Sequence, residues 1–191
     1  MTWFKHADIT YAQFQQHYWR KRPWHGENLL DNALSNIDKT LNNNALFSLS
    51  GDPIIESRVI SGAPADYQLE LGPFDIEGLA SGEMLMIQGL EQHLEVISDL
   101  LTSHFGFLPR WRINDVMASY GHNGASCGPH FDHYDVFLLQ IRGEKHWQLA
   151  PGPFTDDDLL ADADIRLLAT FPSGETLTQR PGDILYIPPG V

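Results

Sequence analysis

The pattern of hydrophobic and polar positions changes once along the chain. Tyr11, Phe14, Tyr18 and Trp19 recur at helical spacing, Thr10 stands ready to cap, and Pro23 stops the run, so a helix is expected from about Tyr11 to Trp19. A second helix is predicted over Leu29 to Leu41, broken by Asn42-Asn43-Asn44. From Leu46 onward the apolar runs shorten to strand length, first Ile54 to Ile60 and then Tyr67 to Leu71, with Gly and Pro between them. A helix is expected from about Leu90 to His104, with Val96, Leu100 and Leu101 inward, and Leu108-Pro109 ends that region. Strands are predicted over Trp111 to Tyr120, His130 to Ile141 and Lys145 to Leu149, the last two joined by a turn at Arg142-Gly143-Glu144. Gly121 to Pro129 reads as a Gly-rich loop, and Asp156 to Asp164 as an acidic loop or short helix. Thr176 to Gln179, a Pro181-Gly182 turn and Ile184 to Ile187 read as a final hairpin. Helices first and short strands afterwards predict a mainly β chain with N-terminal helices (α+β), a jelly roll under a helical cover. The expected division is a helical cover over residues 1–45 and a barrel core over residues 46–191.

Composition narrows the function. Hydrophobic residues make up 42% of the 191, enough for one folded core. Cys127 is the one cysteine, so no internal disulfide forms, which suits a reducing cytoplasm. Residues 1–10 lack a basic n-region and a long apolar stretch, so no signal peptide is expected, and no apolar run reaches membrane-span length. The net charge of −13 argues against direct nucleic-acid binding and favours a basic partner, although plain solubility explains it equally well.

The chemistry centres on His130-Phe131-Asp132. On a strand, residues i and i+2 share a face, so an imidazole and a carboxylate converge. These are two members of the 2-His-1-carboxylate triad that holds Fe(II) and leaves positions open. As an isolated triplet, His-x-Asp is usually a surface strand or a packed pair. Its surroundings strengthen it. Gly124 lies six residues before His130, and Gly182-Asp183-Ile184-Leu185-Tyr186-Ile187-Pro188-Pro189-Gly190 forms a later turn–strand–turn block. The two blocks resemble the two cupin motifs, of which the second places its histidine two residues past Val191. The third ligand is therefore expected to be absent from this chain, which reads as a fragment truncated before its last strands and close to catalytically dead. His122, His133 and His146 are expected to be surface or packed residues. Lys145, fifteen residues after His130, is a cation on the returning strand. Alone it would read as a solvated hairpin lysine.

Several blocks resemble one family, the JmjC-type ribosomal oxygenases of cupin fold. They are Phe14 to Pro23 with Tyr18-Trp19-Arg20-Lys21-Arg22-Pro23, then Glu56-Ser57-Arg58, Gly72-Pro73-Phe74 and Leu108 to Met117. The most specific runs from Gly128-Pro129-His130-Phe131-Asp132 to Gln140 and on to Lys145-His146-Trp147. The resemblance covers nearly all of the chain. It implies a double-stranded β-helix, Fe(II) held by His130 and Asp132, and 2-oxoglutarate as co-substrate. Lys145 would bind the far carboxylate of 2-oxoglutarate, and Ser119 would add a weaker hydroxyl contact. The implied reaction is hydroxylation at C3 of an arginine in a large-subunit ribosomal protein, protein sixteen of that subunit. Family members are longer and dimerise through regions beyond those seen here. Two rivals stay open on sequence alone: a JmjC-type hydroxylase or demethylase of another protein residue, and a non-enzymatic metal-binding cupin.

Overall fold

A computed structural model describes residues 3–63, 66–161, 163 and 165–191. Its helices are α1 (Tyr11–His17), α2 (Asp31–Thr40), α3 (Asn43–Ser50), α4 (Leu90–His93) and α5 (Glu95–His104). Its strands are β1 (Trp24–Gly26), β2 (Ser57–Ala63), β3 (Asp66–Leu71), β4 (Met84–Ile87), β5 (Ala118–Gly121), β6 (Val136–Leu139), β7 (Lys145–Leu149), β8 (Glu175–Gln179) and β9 (Ile184–Ile187). They form three antiparallel sheets ordered β3-β2-β4-β5, β1-β9-β6 and β7-β8. The chain divides into two compact units, one of residues 1–38, 129–161 and 167–191, the other of residues 39–128 and 162–166.

In the first unit, α1 starts where the sequence places it. The Thr10 side chain accepts from the Gln13 N–H, and the Gln13 side chain reaches back to the Thr10 N–H, which satisfies two otherwise orphaned donors. The buried face of α1 is Phe14. Its ring meets Tyr186 edge-on at 5.0 Å and sits 6.0 Å from Phe137. Trp3 stacks on Trp24 at 5.1 Å beside them, and Trp3, Phe14 and Tyr186 are fully buried. Each such ring contributes about 1.5–3 kcal/mol by burial, so β1, β6, β9 and α1 are welded by aromatic packing.

The late strands pair differently from the expected hairpins. β6 pairs with β9, Val136 opposite Ile187 and Leu139 opposite Ile184, while β7 pairs with β8, Lys145 opposite Gln179. The neighbours β6 and β7 therefore do not pair, and neither do β8 and β9. The arrangement is one long antiparallel ribbon folded over a corner. At the corner Gly182 donates to the Gln140 carbonyl at 2.9 Å, and Gln140 donates back to the Asp183 carbonyl at 3.1 Å. One arm has five residues between Leu139 and Lys145 where the other has four between Gln179 and Ile184. An extra residue on one arm bends a ribbon, and here the bend carries it from one sheet to the next, as a jelly roll requires. Gly182 holds φ +96° at this corner, and a Cβ there would lie 3.2 Å from Asn28 Oδ1.

In the second unit three expectations are corrected. Asn42-Asn43-Asn44 does not simply break a helix, because the Asn42 side chain caps α3 by accepting from the Ala45 N–H. The stretch from Leu46 therefore begins as helix rather than strand. The helix expected from Leu90 to His104 divides into α4 and α5 at Leu94, which is extended, and Ile97 rather than Val96 is buried with Leu100 and Leu101. The strand expected from Trp111 shrinks to β5, after a 3-10 turn at Arg110–Arg112. The buried Glu91 carboxylate accepts from the Val116 N–H at 2.9 Å, and the Val116 carbonyl accepts from Leu90. Val116 thus has no backbone groups left for a sheet partner. The acidic segment after Asp156 forms a 3-10 turn only at Asp156–Asp158; residues 162 and 164, at its far end, lie outside the described residues. Cys127 packs against Ile60, Met84 and Met86 in the core of this unit, as a small apolar residue.

Candidate functional site

His130 and Asp132 precede β6 rather than lying in it, so the strand expected from His130 begins six residues later. The segment is nonetheless held on alternate sides. The Pro129 carbonyl accepts from the Leu168 N–H at 2.8 Å, and the Asp132 carbonyl accepts from the Gly190 N–H at 2.8 Å. Both carbonyls of this segment, three residues apart, are therefore held by the chain on either side of Phe131. Between them Phe131 is buried, with Phe154 at 6.4 Å and the His133 ring edge-on at 5.3 Å. His130 is exposed and Asp132 half-buried. An anchored apolar residue flanked by two outward metal-type donors fixes their backbone while leaving their heads accessible.

Lys145 begins β7 and is half-buried, with its Nζ 4.6 Å from the centre of the Trp147 ring. Burial alternates along β7, Lys145 and Trp147 lying on its more buried side and His146 being exposed. The His146 ring meets Thr178 Oγ1 at 2.9 Å on the outer side. His133 makes a solvent-facing contact with Asp156 at 3.2 Å, and His122 is exposed beside Tyr120. All three histidines are therefore the surface residues expected. Ser119 belongs to the other unit, exposed on β5 opposite Met86. Among the described residues no three His, Cys, Asp or Glu side chains gather closely enough to hold a metal ion.

Asp135, five residues past His130, is engaged within the chain. The fully buried Tyr186 hydroxyl donates to it at 2.5 Å and accepts from the Arg20 N–H at 2.7 Å. The Arg20 guanidinium stands 3.9 Å from the same carboxylate, and Arg20 adopts φ +56° to present its N–H. Burial first, and the Asp135 hydrogen bond second, push the Tyr186 hydroxyl far above the usual tyrosine range, so it stays neutral. Asp135 thus ties the Tyr18-Trp19-Arg20 block to β9.

Sequence reasoning passed over two buried polar residues. Asp183 accepts from the Asn28 N–H at 2.9 Å and the Arg180 N–H at 2.8 Å and meets His25 Nε2 at 3.2 Å, which pins the turn before β9. Gln179, 1% exposed, accepts from Trp147 Nε1 at 3.0 Å and donates to the Leu138 carbonyl at 2.7 Å. The signal for the first was the Gly182-Asp183 step of the second motif. A lone glutamine on a strand gives none.

Known proteins share this architecture. Residues 100–191 match the JmjC domain family. Over 187 residues, 94% of it, the chain is 30% identical to a probable ribosomal oxygenase of Haemophilus influenzae, and it covers 45% of that protein. It is 28% identical to the ribosomal protein uL16 3-hydroxylase of Escherichia coli, covering 95% of itself and 48% of the relative. The chain thus spans about half the length of the curated relatives it matches. The crystal structure of the E. coli protein YcfD superposes with a TM-score of 0.84 at 28% identity, over 96% of this chain and 48% of that one. Another YcfD structure, solved in complex with cobalt and 2-oxoglutarate, superposes at 0.76 over 96% of this chain and 47% of that one. The nested β6–β9 and β7–β8 ribbon is the cupin double-stranded β-helix, and by sequence and fold together the chain is similar to the JmjC ribosomal oxygenases.

Proposed function

We propose that this chain carries the metal- and co-substrate-binding part of an Fe(II)- and 2-oxoglutarate-dependent protein hydroxylase. Its substrate is an arginine, oxidised at C3, in a basic large-subunit ribosomal protein. The observation that carries the reading is the placement of His130, Asp132 and Lys145 on one arm of a single folded ribbon. An imidazole and a carboxylate are the donor types that suit non-haem iron with open positions. In this reading the histidine of the second cupin motif completes the triad.

His130 and Asp132 would hold the iron, which would supply the oxygen activation that, with 2-oxoglutarate as the reductant, hydroxylation of an unactivated carbon requires. The chain's own residues do the rest. Lys145 pairs with the far carboxylate of 2-oxoglutarate, a charge-assisted contact strengthened by partial burial. The buried Phe131 keeps water from the backbone between the two metal donors. The net charge of −13 draws a basic substrate toward the surface, and a single free cysteine suits the reducing cytoplasm where ribosomes are made.

The test compares large-subunit ribosomal proteins, by mass spectrometry, from cells with and without the gene that encodes this chain. One protein should differ by a single oxygen on an arginine. If all of them have the same mass in both strains, the substrate assignment is wrong.

A further inference from the structure

We infer that Trp147 is a positioning residue for the co-substrate cation, a ring platform that holds the Lys145 ammonium and is itself locked by Gln179. This rests on the reading of Lys145 as the 2-oxoglutarate anchor. Lys145 and Trp147 are i and i+2 on β7, so both project to one face of the strand, and the ammonium sits 4.6 Å from the ring centre. An indole face attracts a cation through its quadrupole, most strongly where water is partly excluded. The ring cannot turn freely, because its N–H donates to Gln179 Oε1 at 3.0 Å. Gln179 in turn is almost wholly buried, and its amide donates to the carbonyls of Leu138 at 2.7 Å and Asp183 at 3.3 Å. The lock therefore ties β7 and β8 to β6 and to the turn before β9. It refers the position of the Lys145 head to the strand that leads back to Asp132 and His130.

The physical reason for such a platform is entropic. Lysine has four rotatable bonds and a point charge, with no planar fork to fix its direction. Holding it over a fixed ring before the ligand arrives removes part of the ordering cost of binding. Arginine could supply its own geometry at such a place, whereas a lysine gains more from the ring beneath it.

The test uses this chain without metal, so that the carboxylate contact dominates. Lysine side-chain carbon and nitrogen labels resolve four residues, Lys5, Lys21, Lys39 and Lys145. The Lys145 Cε–Nζ signal should be shifted upfield of the other three by the ring current. Titration with 2-oxoglutarate, followed by the same spectra and by amide shifts, gives the dissociation constant. Trp147→Leu should erase the upfield shift and weaken binding about three- to tenfold. Trp147→Phe, which keeps a ring but loses the Gln179 tether, should weaken binding by an intermediate amount, about two- to threefold, and wild-type affinity in it would show that the tether does not matter. Lys145→Met should weaken binding further, and adding Trp147→Leu to it should change nothing more. Wild-type affinity in Trp147→Leu, with Lys145→Met impaired, overturns the platform and leaves the co-substrate reading standing. If neither variant weakens binding, the co-substrate reading of Lys145 fails as well. Should Trp147→Leu not fold, the wild-type Lys145 shift and the Trp147→Phe affinity decide, and an unshifted Lys145 signal overturns the inference.

Discussion

Replacing Tyr186 with phenylalanine removes one oxygen from a short, buried polar contact of the first unit and leaves everything else in place. The ring is fully buried among Phe14 at 5.0 Å, Phe137 at 5.0 Å and Trp19 at 5.7 Å, and phenylalanine preserves each of these contacts. No cavity opens, so the cost is polar alone. Two hydrogen bonds go. The hydroxyl no longer donates to Asp135, a charge-assisted bond worth roughly 1.5–3 kcal/mol. The Arg20 N–H loses its acceptor, at roughly 1–3 kcal/mol if water cannot replace it. Asp135 keeps 20% side-chain exposure, so rehydration recovers part of its loss. The expected loss is therefore about 3 kcal/mol, or about 6–12 °C in Tm for a chain of this size. Urea unfolding should show a lower midpoint with an unchanged slope. The pH dependence is a second signature. The Tyr186 hydroxyl titrates well above its unfolded value of about 10. Its contribution is fully present below that unfolded value and falls away as pH rises above it, because the unfolded chain then releases a proton that the folded chain keeps. The Phe variant should lose stability less steeply above about pH 10. A Tyr186→Phe protein within about 0.5 kcal/mol of the wild type would refute this account, since that is the range of an ordinary surface change.

Asp132→Ala should lower Mn(II) or Fe(II) occupancy, measured by atomic absorption after dialysis, at little cost in stability because the side chain is only half-buried; unchanged occupancy would remove Asp132 from the metal site. Asp183→Asn should cost about 2–3 kcal/mol in chemical denaturation, because an amide NH₂ would face the N–H of Asn28 or of Arg180; a neutral result would mean that this turn is not pinned by the carboxylate. Gly182→Ala should cost about 1–2 kcal/mol, since φ +96° is strained for any side chain and the added Cβ meets Asn28 Oδ1 at 3.2 Å; thermal melts at the wild-type midpoint would show that the corner relaxes.

How much of this was legible in the sequence depended on the range of the interaction. Thr10 and Gln13 are three residues apart, and the helix they start was readable because both halves of the cap lie within one window. The strand lengths of β7 and β9 and the turns around them were readable for the same reason, and so were the outward directions of His146 and His133. The proposed metal pair His130 and Asp132, with Lys145 beyond it, stood out because spacing and motif are local properties. Pairing was not readable. Tight turns at Arg142-Gly143-Glu144 and Pro181-Gly182 look like hairpin turns, yet each is the corner of a ribbon whose arms pair residues 26 to 51 positions apart in the chain. Only the buried aromatic packing of β6 and β9, against α1 and Trp24, decides that they lie together. The strand expected over Trp111 to Tyr120 failed for a like reason, because Glu91, a residue 25 positions back, takes the Val116 N–H. Gln179 had no visible role until tertiary structure set its amide between Trp147 and Leu138. Local sequence therefore determined the elements and the donor atoms of the candidate site, while long-range hydrogen bonds and ring packing decided which elements meet and what holds those donors in place.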